Sequence, residues 1–170
     1  FRGRLAQRGV GLMLDFVPNH TARDSPWVEE PAIHVQVEGG SGAAFGKDPY
    51  SGDWTDTAQL NYWSDACRSR MCEVLLDVVD KCDGVRVDMA MLCCTPVVER
   101  TWGELLRGQG HHPPQAEFWP EVLRKVKQRR SHFHALAECY EYGEIFPDGT
   151  GRELLRQGFD AVYDKVTYDR

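Results

Sequence analysis

Asp83-Gly84-Val85-Arg86-Val87-Asp88 is the stretch whose reading decides the fold. Successive side chains of a strand point to opposite faces. A strand here sets Arg86 and Asp88 side by side and turns Val85 and Val87 to the other face. A guanidinium two residues before a carboxylate holds that carboxylate ionised and oriented, because a nearby opposite charge favours the charged form. A carboxylate nucleophile needs such a setting. A purely structural ion pair at a strand end has the same pattern, so the rest of the chain has to decide between them.

Working outward, strands and helices alternate. Residues 10–17 are a near-continuous apolar run ending in Pro18-Asn19-His20, the pattern of a strand buried on both faces. Further strands are expected at 134–138 and 159–163. Residues 1–8 read as the end of a helix broken at Gly9. A helix over 64–81 has Ser64 as its cap and Met71, Val74, Leu75, Val78 and Val79 on one face. A short helix is expected at 96–102, a break at 108–114, and helices at 117–130 and 151–157. The last residues read as a further helix or lid. Residues 21–63, rich in Gly, Pro, Ser and Asp, form a long irregular excursion with short strands near 34–37 and 43–46. Loops of that length in compact domains usually carry function.

Alternation of this kind predicts a parallel sheet with helices outside it. Polar residues gather where the strands end: Asp15, Asn19 and His20; Arg86 and Asp88; Glu138; Asp160 and Asp164. Functional groups at the C-terminal ends of several parallel strands are what a TIM barrel places there. The competing architecture is an open doubly wound sheet, but no Gly-rich phosphate fingerprint follows any strand.

The 170 residues suggest one domain, with residues 21–63 as an inserted region within it. The net charge of -6 and the absence of a basic block argue against a nucleic-acid partner, which would need clustered Lys and Arg. Arg124 to Arg130 reads as the solvated face of a helix. No apolar run approaches a membrane span. Six cysteines fit neither a zinc ribbon nor a redox pair, and as free thiols they favour a reducing, cytoplasmic compartment.

Glycoside cleavage needs two carboxyl groups in different environments, one to attack the anomeric carbon or activate water, the other to protonate the leaving oxygen. Asp88 beside Arg86 suits the first task. Glu138 ends the apolar run His134-Ala135-Leu136-Ala137, where partial burial suits a proton donor. Asp15, one strand away, could hold Arg86 from the other side, and His20 could hydrogen-bond a sugar hydroxyl.

Three of these segments together resemble a known family. Leu14-Asp15-Phe16-Val17-Pro18-Asn19-His20 is similar to the first signature of the alpha-amylase family, glycoside hydrolase family 13. Gly84-Val85-Arg86-Val87-Asp88 resembles its second signature, and Ala137-Glu138-Cys139-Tyr140 its third. Asp56-Thr57-Ala58-Gln59-Leu60-Asn61-Tyr62 resembles the segment that leads into the third helix of that barrel. The order and spacing agree over nearly the whole chain.

The resemblance implies an α/β fold, a partial (β/α)8 TIM barrel spanning strands three to six, with a short inserted region after the third strand. It implies Asp88 as nucleophile, Glu138 as general acid/base, Arg86 orienting the nucleophile with Asp15 behind it, and His20 as a sugar contact. Asn19 matches a position that often binds calcium or braces the loop domain, although no cofactor is required for the chemistry. The substrate implied is an alpha-glucan or a small alpha-glucoside, cleaved with retention. Two departures are visible. The family's fourth signature, with the third catalytic carboxylate, has no match, so the chain reads as a barrel segment expected to be inactive by itself. The second signature continues Met89-Ala90-Met91-Leu92 rather than with Lys-His, which weakens the calcium expectation. A non-catalytic sugar-binding relative is the alternative, opposed by the intact Asp88 and Glu138.

Overall fold

A computed structural model of the chain describes residues 1–163. In chain order its elements are α1 (Arg2–Ala6), β1 (Met13–Phe16), β2 (His20–Ala22), β3 (Thr57–Gln59), α2 (Asp65–Val79), β4 (Gly84–Val87), α3 (Thr95–Gly108), α4 (Phe118–Arg129), β5 (His134–Ala137), α5 (Thr150–Arg156) and β6 (Ala161–Val162). The chain divides into two compact units. One comprises Phe1–Phe16, Cys72–Met91 and the chain from Trp119 on; the other comprises Val17–Met71 and Leu92–Phe118.

The first unit is built on a parallel sheet in the order β1-β4-β5-β6. This is the α/β partial barrel expected from the sequence. One face of the sheet is apolar and closed: Phe16, Val85, Val87, Ala135 and Ala137 are buried. Leu75 and Val79 of α2, Trp119, Val122 and Val126 of α4 and Leu154 of α5 are buried in the same unit. Trp119 meets Phe159 edge to face at 5.0 Å, and its indole N–H donates to the Ala90 carbonyl at 2.8 Å. That bond removes the cost of burying the one polar atom of a large apolar ring.

The other face carries the charges. Register pairs Met13 with Gly84 and Asp15 with Arg86, and Arg86 with Leu136. Paired residues of a parallel sheet share a face, so Asp15, Arg86 and Asp88 project together. Gly84 is required by close approach. A Cβ there would lie 2.8 Å from the His134 carbonyl oxygen and 3.1 Å from the Met13 methyl. The N-terminal end of β4 is tied down by Asp83. Its carboxylate accepts from Arg2 at 2.7 Å, from Arg130 at 3.1 Å and from the Leu12 N–H at 2.9 Å. The hydrogen bond from Arg2 is the main cause holding the Asp83 carboxyl well below the usual range, followed by that from Leu12.

The second unit contains the antiparallel pair β2-β3, in which His20 faces Gln59. Helix α2 begins after Ser64, whose hydroxyl oxygen accepts from the Cys67 N–H at 3.5 Å and donates to the Ala32 carbonyl at 2.6 Å. His34 is fully buried between the Glu30 carbonyl and the Thr21 hydroxyl, at 3.2 Å from each.

Several sequence expectations need correction. Residues 10–17 are not a strand buried on both faces. Only Met13–Phe16 is strand, and Met13 is 46% exposed because it lies on the open, charged face. Among the described residues β1 has a single strand neighbour, β4. The short strands near 34–37 and 43–46 reduce to isolated bridges, Gln36 to Ala43 and Gly46 to Trp54 among them. The helix expected at 96–102 runs on to Gly108, since Val98, Trp102 and Leu106 continue one buried stripe. Asp160 precedes β6 instead of ending it. There it accepts from Lys127 at 2.7 Å and from the Ala135 N–H at 2.8 Å, a structural bond at the N-terminal end of the sheet. Asp164 and the terminal helix or lid lie outside the described residues.

Candidate active site

Asp88 directly follows β4 and Glu138 directly follows β5, so neighbouring parallel strands deliver both carboxyls at their C-terminal ends. Backbone ladders fix them: the Asp88 N–H donates to Phe16 and the Glu138 N–H to Val87, each at 2.9 Å. Arg86 lies between them. Its Nη1 donates to Asp88 Oδ1 at 2.7 Å, and its Nη2 lies 2.8 Å from Glu138 Oε2. Asp15 Oδ1 is 3.6 Å from the same Nη1 with its side chain 68% exposed. The expected clamp from Asp15 is therefore a loose one, and the partner that grips Arg86 from the far side is Glu138.

Tyr163 completes the setting of Arg86. Its hydroxyl accepts from Nε at 3.0 Å, and the guanidinium carbon stands 5.3 Å from its ring centre. Burial works against the Arg86 charge. The bonds to Tyr163 and Asp88 and the negative charge of Glu138 outweigh it, and the guanidinium pKa stands above its ordinary value. A planar fork with fixed donors on two carboxylates and a phenol is a task that a lysine could not perform.

Glu138 is the least exposed of the group, its side chain 10% accessible. Oε2 also accepts from the Met89 N–H at 3.0 Å, and the Tyr140 hydroxyl lies 3.3 Å from Oε1. The Ala90 N–H donates to the Glu138 carbonyl at 2.9 Å. The chain reaches this position because Met89 has φ 38°, in the left-handed region that non-glycine residues rarely adopt. Strain of about 1–3 kcal/mol persists only where surrounding bonds over-determine it. Here two backbone N–H groups close on Glu138. Sequence reasoning missed Met89, Tyr140 and Tyr163; a methionine gives no sign of positive φ.

Cys139, next to Glu138, is buried, and burial, helped by the charges of Glu141 and Glu138, pushes its thiol up to about 11. It stays protonated and does not compete as a nucleophile.

His20 and Asn19 belong to the other unit. His20 stands edge to face with Trp54 at 5.5 Å. Asn19 is buried, its amide exchanging hydrogen bonds with that of Gln59 at 3.3 and 3.0 Å. Asn19 Oδ1 is thus already an acceptor for a neutral amide. No group of three or more His, Cys, Asp or Glu side chains that could hold a metal ion occurs among the described residues. No chemical step is assigned to a calcium ion. No helix among the described residues is long and apolar enough to cross a membrane.

No family model matches the chain, and no curated protein matches it. Solved structures do. An alpha-amylase from Lactobacillus plantarum superposes with a TM-score of 0.72 and 26% identity, over 99% of this chain and 36% of that one. Cyclic alpha-maltosyl-(1-->6)-maltose hydrolase from Arthrobacter globiformis gives a TM-score of 0.67 at 16% identity, over 99% of this chain and 34% of that one. Isomaltulose synthase from Klebsiella sp. LX3 gives 0.62 at 19%, over 99% and 36%. The last two speak for the fold alone. The chain spans about a third of the length of the proteins it matches. With the parallel sheet, the two strand-end carboxyls and the arginine between them, the chain is similar to part of an alpha-amylase barrel.

Proposed function

We propose that the full-length protein is a retaining glycosidase or transglycosylase acting on alpha-glucosidic bonds. The observation that carries this reading is the Arg86 guanidinium shared between Asp88 and Glu138 at the ends of adjacent parallel strands. Asp88, held by Nη1, attacks the anomeric carbon. Glu138 protonates the departing glycosidic oxygen. In the second half Glu138 takes a proton from the acceptor, which displaces Asp88. Water as acceptor gives hydrolysis, and a sugar hydroxyl gives transfer. Asp15 serves as a substrate contact, and residues 21–63 as the inserted region. The likeness to an alpha-amylase supports an alpha-glucan or small alpha-glucoside as substrate.

The test is a pair of near-isosteric variants. Asp88→Asn should abolish glycosyl-enzyme formation on every substrate. Glu138→Gln should lose turnover of glucans yet still form the covalent intermediate on an activated aryl alpha-glucoside, which needs little protonation. Identical responses of the two variants to leaving-group ability would refute the division of labour. The isolated 170-residue segment should show no activity.

A further inference from the structure

The two oxygens of the Glu138 carboxyl are not equivalent. Oε2 is taken by two donors, the Arg86 Nη2 at 2.8 Å and the Met89 N–H at 3.0 Å. A proton on Oε2 would face both of them. A proton on Oε1 meets no such conflict, and the Tyr140 hydroxyl stands 3.3 Å from that oxygen. Tyr140 is 36% exposed, at the edge of the site rather than in the core.

Resting on the glycosidase reading above, we infer that Glu138 Oε1 is the atom that delivers the proton, and that Tyr140 is the positioning residue for it. In the first half-reaction the Oε1–H bond breaks and its electron pair stays on the carboxylate. The proton goes to the glycosidic oxygen, which leaves with the electron pair of its bond to C1 while an Asp88 oxygen bonds to C1. The new negative charge appears on Oε1, the oxygen that the Tyr140 O–H faces. Its hydrogen bond to the charged form is stronger than to the neutral acid, so it favours proton release. The Met89 N–H and Arg86 keep Oε2 from rotating into the donor position. The left-handed backbone at Met89 is what puts that N–H in place.

The test is Tyr140→Phe in the full-length protein, with kcat/KM measured on a maltooligosaccharide and on a dinitrophenyl alpha-glucoside. Loss of one hydrogen bond that strengthens in the transition state should lower kcat/KM on the oligosaccharide by about five- to ten-fold. The aryl glucoside, whose leaving group needs no proton, should change less than about two-fold. A residue that merely holds the fold would lower both alike. Equal losses on the two substrates, or no loss on either, overturn the role of Tyr140 and leave the glycosidase reading standing. An unmutated protein that cleaves neither substrate overturns both.

Discussion

Arg86 Nη2 lies 2.8 Å from Glu138 Oε2, so the cation that holds Asp88 also grips Glu138. The local pattern Arg86-Val87-Asp88 foretells only half of this. The other half depends on the register of β4 against β5, which pairs Val87 with Ala137 and so brings Asp88 level with Glu138. One guanidinium thereby fixes the spacing of the two groups to which the proposed mechanism gives complementary parts.

Arg86→Lys should be a severe change. A lysine has one ammonium on a flexible stem and cannot hold both carboxyls with a planar fork. Misplacement of reacting groups by about 1 Å can cost about a hundred-fold, and kcat/KM of the variant should fall by that order. The fold should survive, since Arg86 lies on the charged face of the sheet and not in the apolar layer. Steady-state kinetics with circular dichroism as control check both parts.

Gly84→Ala should destabilise the protein by about 1–3 kcal/mol, the usual cost of forcing atoms into a closed space. The added methyl meets a backbone carbonyl, which yields less readily than a side chain. The denaturant midpoint should drop with no change in slope.

Acid should weaken the protein partly through Asp83. Its folded carboxyl binds a proton less readily than the unfolded chain does, chiefly because of the bond from Arg2. Its contribution is complete above the ordinary aspartate value of 3.8 and fades as pH falls below it towards the depressed folded value. Asp83→Asn should lower stability at neutral pH and flatten the acid limb of a plot of melting temperature against pH.

His34 adds a limb at higher pH. Burial pushes its imidazole below the ordinary value of 6.5, against the pull of the Glu30 carbonyl. Below that value the unfolded chain takes up a proton that the folded ring refuses, so stability should fall as pH drops below 6.5. His34→Gln should remove this limb and leave that of Asp83. Melting curves between pH 4 and 8 are the measurement.

Cys67 and Cys139 should resist alkylation in the native protein. Burial pushes the first to about 12 and the second to about 11, and both are inaccessible. Mass spectrometry after iodoacetamide treatment at about pH 8 should find them modified only when the chain is unfolded first.

The elements that sequence made legible are those whose apolar periodicity reports burial. β4 and β5 read correctly because Val85, Val87, Ala135 and Ala137 face a closed layer. Helix α2 read correctly because Met71, Leu75 and Val79 of its expected apolar face are buried, while Val74 and Val78 flank them half-buried. β2 and β3 were invisible. His20-Thr21-Ala22 and Thr57-Ala58-Gln59 are short and polar, and their pairing is decided by distant partners. The burial of residues 10–17 was overstated because an apolar run cannot say which of its two faces is covered. Asp88, Glu138 and Arg86 were legible as candidates from local spacing. Their mutual geometry, and the parts taken by Met89, Tyr140 and Tyr163, required the fold to bring remote segments into register.

The left-handed backbone at Met89 also limits how this position can vary through evolution. Valine, isoleucine and threonine resist that conformation, and proline can neither adopt it nor supply the N–H. Among related chains that keep the same turn, drift at this site should run through glycine, asparagine and unbranched side chains. A branched residue or proline would mark a lineage in which the loop after Asp88 has been rebuilt.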